Sequence, residues 1–332
     1  HLGTNFMKII RKLRKKITVL HIATLNRPIK QDIGYGPIET VIYNIDKGLQ
    51  RLGHRSIVAC PRDSDIAGEH YSTIKKSFSA YWSENTSEQQ NDMKRHLALS
   101  LRRAKKGDID VIHMHDAVMM EYIFNGVVRS PVPIVMTLHV PAEDSGSFTQ
   151  WNQSLPLSAP VYFVPISEYQ RKEHQGLVNA QKVIHHGIHV QDYPFKKKAL
   201  RDSYLFSIGR ITPDKGQDKA IQIAKKTGSQ LILAGNVQNK NKDRAFFKRL
   251  NKSIDLIASA GTYLNARHYY QTVMKPILSS DKQIIYIGEV TSDQKKLWYK
   301  HALATLFPIQ WGEPFGLVLI ESMACGTPVV AL

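Results

Sequence analysis

Cysteine is almost missing from this chain: Cys60 and Cys325 are the only two in 332 residues, far apart and without paired spacing. That argues against a disulfide framework or a cysteine-ligated zinc site and points to a reducing, cytoplasmic setting. Long apolar runs are missing as well, and none approaches the roughly 18–20 residues of a membrane-spanning helix. The segment from Met7, MKIIRKLRKKITVLHIATL, sets a basic patch before an apolar stretch, as a secretory leader does. Thr18, His21 and Thr24 interrupt that stretch, however, and no small-residue cleavage site follows. ITVLHIA is therefore expected as a first buried strand, and the residues before Met7 suggest no function. Acidic residues are the third shortage: 28 Asp and Glu against 45 Lys and Arg leave a formal charge of +17. Lys8, Arg11, Lys12, Arg14, Lys15 and Lys16 gather just ahead of ITVLHIA. Such a patch either draws the chain to an anionic membrane or polyanion, or is a solvated basic face; both readings stay open. It is not interleaved with aromatics and no nucleic-acid-binding module is recognisable, so nucleic acid is not expected as a partner.

What the chain does have is a regular alternation. ITVLHIA, RSIVAC, IDVIHMH, VPIVMTL and VYFVPI are short hydrophobic runs with helical segments between them. SYLFSIG, SQLILAG, QIIYIGE, ALATLFPI and TPVVAL form a second series. Continuous apolar strands alternating with helices indicate parallel sheets covered on both faces. Ile38, Val41, Ile42, Ile45, Leu49 and Leu52 share one helical face that Gly53 ends, and Ala220, Ile221 and Ala224 mark a second helix over 214–227. The stretch 185–202 breaks both periodicities, and residues 236–280 read as a polar, helix-forming insertion. The expected architecture is two doubly wound α/β domains facing across a cleft.

In such sheets ligands bind beyond the carboxyl ends of the strands. There GYGPIE (34–39) opens the first long helix, either as a phosphate loop or as a plain tight turn. It is not a dinucleotide fingerprint, because Glu39 replaces the third glycine. SIGRITPDKG puts Arg210 and Lys215 beside a helix start, two cations that suit a diphosphate unless they are simply exposed loop charges. In EPFGLVLIESMACG, Glu313 precedes a helix whose first free N–H groups belong to Leu317 and Val318, and Glu321 lies within it. The N–H groups suit an anion, and the carboxylates suit sugar hydroxyls at Glu313 and a ribose diol at Glu321, though both acids could equally be solvated.

GYGPIE, TLHVP, PISEYQRKEH, VIHHGIHVQDYPF, SIGRITPDKG, YIGEV and above all EPFGLVLIESMACGTPVV, in this order, resemble the family 4 glycosyltransferases, and the resemblance covers nearly the whole chain. It implies the GT-B fold, with residues 1–190 as an acceptor-side domain and 191–332 as a nucleotide-sugar-binding domain, the latter incomplete. It implies transfer of a hexose from a nucleotide-diphosphate sugar, with UDP-glucose or GDP-mannose as leading donors, to a glycan, lipid-linked or small acceptor. Transfer would be with retention and without metal or cofactor. By the same resemblance, Arg210 and Lys215 neutralise the donor diphosphate and Gly36 approaches it from the first domain. Phe315, Gly316, Leu317 and Val318 form the phosphate-facing turn, and Glu321 takes the ribose. Gly288, Glu289 and Val290 lie against the base, while His139 and Glu313 reach the transferring sugar as catalytic residues. Asp144 and Trp151 are candidates for the acceptor.

Three departures from the family pattern stand out. Pro37 replaces a second glycine and has no N–H to give. His186 and His189 stand where Asn and Asp are usual, from which altered hinge packing and unaffected catalysis are expected. The chain also ends at Leu332, so a further strand and helices that cross back onto the first domain are expected beyond it. A catalytically impaired scaffold of the same fold, or another nucleotide-sugar enzyme built on it, is the alternative reading.

Overall fold

A computed structural model describes residues 16–78, 87–117, 119–120, 129–141, 161–178, 180, 182–197 and 204–332. The first sheet has the order β3-β2-β1-β4-β5-β6, all parallel, with β1 Thr18–Ile22, β2 Arg55–Pro61, β3 Glu69–Ile74, β4 Val111–Met114, β5 Ile134–Leu138 and β6 Val161–Pro165. The second has the order β12-β11-β7-β8-β10-β9, also parallel, with β7 Leu205–Ile208, β8 Leu231–Ala234, β9 Leu256–Ile257, β10 Ile284–Tyr286, β11 Ala304–Phe307 and β12 Val329–Ala331. Two parallel six-stranded sheets, each with its own helices, make the two-domain α/β arrangement expected. All ten expected strands are present. The two that pattern reading missed are edge strands: β3, EHYSTI, is mostly polar, and β9 has two residues. An edge strand pairs on one side only and need not be apolar throughout.

Each sheet is covered on both faces by separate clusters. In the second sheet, Trp298, Tyr204, Tyr269 and Phe206 fill one side and Leu231, Leu233, Phe246 and Leu306 the other. The segment read as a polar insertion contributes Tyr269, Met274 and Ile277 to this core. Among the described residues no helix is long and apolar enough to cross a membrane.

Helix α1, Pro37–Arg51, departs from the expected face. Val41 and Ile42 are buried, but so are Glu39 and Asp46, while Leu52 is 64% exposed. The buried acids are held by specific donors. Thr24 Oγ1 donates to Glu39 at 2.7 Å, and the Ala67 and Gly68 N–H groups donate to Asp46 at 2.8 and 3.0 Å. A buried carboxylate with partners can displace an apolar residue from a helix face, and a hydropathy pattern does not show where those partners are. The remaining long helices are α2 Ser87–Ala104, α4 Gln217–Thr227, α5 Asn241–Leu250, α6 Ser292–His301 and α7 Leu317–Ala324, with α3, Glu168–Glu173, a short one after β6. In α4 the expected Ala220, Ile221 and Ala224 are buried.

His96 on α2 is fully buried, between the Thr73 hydroxyl at 2.6 Å from Nδ1 and the Ala23 carbonyl at 3.1 Å from Nε2. A carbonyl only accepts, so Nε2 carries the proton and Nδ1 accepts. Burial pulls its pKa from 6.5 down to about 4, against the opposing pull of the Ala23 carbonyl. A depressed folded-state pKa gives stability that is complete above about 6.5 and lost as pH falls toward 4. Stability is thus expected to drop between pH 6.5 and 4, and His96→Gln to flatten that slope by up to ~1.4 kcal/mol per pH unit. Urea unfolding at half-unit pH steps reads the slope; equal slopes for both proteins would remove His96 from the acid response.

Candidate functional site

The C-terminal ends of both sheets face one cavity of about 160 Å³, and most of the expected residues line it: His139, Arg210, Lys215, Glu313, Phe315, Gly316, Leu317 and Val318. Strand ends and helix starts put them there. His139 follows β5 directly, Arg210 follows β7, and Lys215 sits in the short turn Pro213–Lys215 ahead of α4. Gly216 ends that turn with φ 67°, and its α-carbon packs so closely on the Pro308 carbonyl that any side chain would collide. Gly316, φ 80°, opens α7, and no side chain caps that helix. Its first N–H groups therefore remain available to a ligand.

The charges inside the cavity are already organised. Lys215 Nζ is ion-paired with Glu313 and lies 4.9 Å from the Trp311 ring centre, so the cation and the carboxylate neutralise each other. Arg210 Nη1 donates to Gln238 at 3.3 Å, but its Nε is buried with no partner, as is Trp311 Nε1. Unpartnered buried donors on a cationic group mark a place for an anion. Tyr35 stands over the same cavity, and burial raises its phenol pKa, opposed chiefly by Arg210.

Gly36 is the residue before α1, with Pro37 at its first position. The neighbouring Tyr35 N–H is bound to Glu289 Oε1 at 2.8 Å, and Arg27 pairs with the same oxygen at 3.2 Å. Gly34 packs against Glu289 so tightly that a β-carbon would lie 2.8 Å from its carboxylate. Gly288 has φ 75° and Val290 is buried, so Glu289 is the member of the YIGEV turn that reaches across to the first domain. Asp32 adds a second bridge, accepting from the Ser292 N–H at the start of α6 at 3.0 Å.

Glu321 is placed differently. It is 3% exposed, does not line the cavity, and accepts from Lys295 Nζ at 2.6 Å, Tyr299 Oη at 3.1 Å and Tyr193 Oη at 3.3 Å. Asp144, Trp151 and the basic cluster other than Lys16 lie outside the described residues.

Histidines make up what sequence reading missed. His186, read as a hinge residue, lines the cavity and stacks on His139 with centroids 5.3 Å apart. His139 Nε2 is 3.1 Å from His115 Nδ1, and His115 Nε2 is 3.2 Å from His21 Nδ1. The pKa values of all four are lowered chiefly by burial, His186 to about 4, so the file is neutral. The available signal was three histidines in HIATL and IHMHD at the ends of two neighbouring strands. His189 contacts Arg51 at the C-terminal end of α1.

Comparison with known proteins agrees in direction. The model for Glycosyltransferase Family 4 matches residues 36–192, and that for Glycosyl transferases group 1 matches residues 274–332. A phosphatidyl-myo-inositol mannosyltransferase of Propionibacterium freudenreichii is 21% identical over 230 residues, 68% of this chain and 53% of the relative. The chain thus spans about half the length of that curated relative. Among solved structures, sucrose-phosphate synthase from Thermosynechococcus elongatus superposes with TM-score 0.65 at 16% identity, covering 96% of this chain and 81% of the other. Alr3699/HepE of Anabaena, in complex with UDP and glucose, gives 0.62 at 17%, covering 96% and 80%.

The buried cluster at Glu321 makes a stability prediction. Glu321→Ala would strand Lys295, whose side chain is only 14% exposed, and is expected to cost about 3 kcal/mol. Glu321→Gln, which still accepts from the tyrosines, should cost less. Denaturant unfolding measures both; a loss below ~0.5 kcal/mol for the alanine variant would show that the pair does not hold this corner together.

Proposed function

The chain belongs to the family 4 glycosyltransferases, and from that premise we propose that it moves a hexose from a nucleotide-diphosphate sugar to a hydroxyl acceptor with retention of configuration. The observation that carries this reading is the cavity itself: a partnerless Arg210 Nε, the Lys215 ammonium and the uncapped start of α7 converge on one space between the sheets.

In this reading the diphosphate lies against Arg210, Lys215 and the Leu317 and Val318 N–H groups. Its arrival draws Lys215 away from Glu313 and frees that carboxylate for the sugar hydroxyls. Neutral His139 and Phe315 bound the sugar from either side, and Gly36 borders the phosphates. The glycosidic bond from C1 to the phosphate oxygen breaks with its electron pair leaving on the phosphate. The acceptor oxygen then joins C1 on the same face, and its proton passes to the departing phosphate. Fixed cations and helix N–H groups stabilise the charge that develops, so no metal or cofactor is needed. Gly288, Glu289 and Val290 flank the base. Glu321 remains the candidate for the ribose, on condition that the diol replaces one of its present donors. UDP-glucose and GDP-mannose are the donors to test first, the former in line with the UDP and glucose held by Alr3699/HepE, the latter with the mannosyltransferase relative. That relative's name also makes a lipid-linked acceptor reasonable, with Asp144 and Trp151 as acceptor contacts and the basic cluster meeting an anionic, cytoplasm-facing membrane.

Calorimetric titration of UDP, GDP and ADP and their sugars should identify one tight nucleotide. Arg210→Ala and Lys215→Ala are each expected to lower turnover at least ~30-fold, equivalent to the ~2–4 kcal/mol of a lost charge-assisted contact in a transition state, with the fold intact. Unchanged kinetics in both variants would remove the pair from the site. Chelator-treated protein should transfer sugar as fast as untreated protein; an absolute need for Mn²⁺ or Mg²⁺ would count against this donor site.

A further inference from the structure

The histidine file has a second feature that sugar transfer does not use. His21 on β1 pairs in register with His113 on β4, and His115, two residues on, falls on the same face. The three rings are 4.0–5.5 Å apart, centroid to centroid. One nitrogen from each ring lies within 4.8 Å of the other two. His21 Nδ1 and His115 Nε2 are 3.2 Å apart, bridged by one proton. Two imidazole nitrogens on a single tetrahedral zinc, each at about 2.0–2.1 Å, stand about 3.3 Å apart. That bridging proton and a small dication are therefore geometric alternatives.

The surroundings are those of a ligand set. Metal-bound histidines are normally oriented through their other ring nitrogen. Here His113 Nε2 meets the Thr137 hydroxyl at 2.8 Å, and His115 Nδ1 meets His139 at 3.1 Å. His21 Nε2 is fully buried with no partner, so the third ring has no such orienting contact. Of the three rings, His113 also borders a second cavity of about 320 Å³, between α1 and residues 184–189.

We propose that His21, His113 and His115 form a binding site for a transition-metal dication of the zinc class, with the fourth coordination position open toward that second cavity. Three imidazoles and no carboxylate suit Zn²⁺, Co²⁺, Ni²⁺ or Cu²⁺ and disfavour Mg²⁺ and Ca²⁺, which take oxygen ligands. Binding releases no proton from neutral rings; the one shared by His21 and His115 moves to the far nitrogen of its own ring. With metal on Nε2, His115 carries its proton on Nδ1 and donates to His139 Nε2. Occupancy therefore fixes the proton of the cleft histidine on Nδ1, linking this site to the cleft cavity that His139 lines.

The test reads metal binding directly and does not depend on transfer activity. Chelator-stripped protein is titrated with Zn²⁺ by calorimetry at pH 7, with Mg²⁺ as the control. The same titration is run on His113→Gln and on His268→Gln, which alters an exposed histidine remote from the cluster. We expect one saturable Zn²⁺ site in the wild type and in His268→Gln, weakened tenfold or more in His113→Gln. If His113→Gln does not fold, Thr137→Val keeps all three ligands, removes the outer hydrogen bond, and should weaken Zn²⁺ about tenfold. Equal Zn²⁺ affinity in the wild type and the cluster variant, or no Zn²⁺ binding by the wild type, would overturn the proposal.

Discussion

The two sheets are joined across the cleft by a carboxylate. Glu289, at the tip of a turn whose glycine needs positive φ, accepts from the Tyr35 N–H and pairs with Arg27, and Asp32 returns the contact at the start of α6. That closure sets the two walls of the cleft cavity against each other. Its energy is modest. The Arg27–Glu289 pair is partly solvated, at 25% and 36% side-chain exposure, and such pairs contribute about 0–1 kcal/mol. The charge-assisted bond to a backbone N–H is stronger but single. A closure held this weakly can exchange with an open form. Gly34 is part of the same device, since any side chain there would push the carboxylate away.

Within the closed cavity the charges are balanced in pairs. Lys215 and Glu313 neutralise each other, and Glu321 is neutralised by Lys295 behind the cavity wall. Among the described cations of the cavity, Arg210 keeps a buried donor without a partner. The two glutamates of EPFGLVLIE therefore differ physically despite their shared motif. Glu313 sits in the cavity on an exchangeable cation. Glu321 is a buried acceptor of three donors that also ties Tyr193, between the two sheets, to α6 and α7.

The histidines supply the opposite kind of group. Buried and neutral, His139 and His186 line the first-domain side of the cavity with polar atoms that carry no charge. Their hydrogen bonds run in series from His139 to His21, so the tautomer at the cleft is coupled to whatever occupies the inner end.

The sequence by itself determined the alternation of apolar strands and helices and the two parallel sheets that follow from it. Each of these is local: a buried parallel strand must be apolar along its length, and a helix start after a strand end is visible as a turn with glycine. Among the described residues ten of the twelve strands were legible for that reason, and β3 and β9 were not, because an edge strand can be polar or very short. Only the tertiary structure decided which charges meet. Glu39 and Asp46 are buried on α1 because Thr24 and the 67–68 backbone reach them, and Glu321 turned inward because Lys295 and two tyrosines wait there. Pairings between residues tens to hundreds of positions apart leave no periodic trace in a chain. The same holds for His21, His113, His115 and His139, which share one file because parallel strand pairing aligns the ends of β1, β4 and β5.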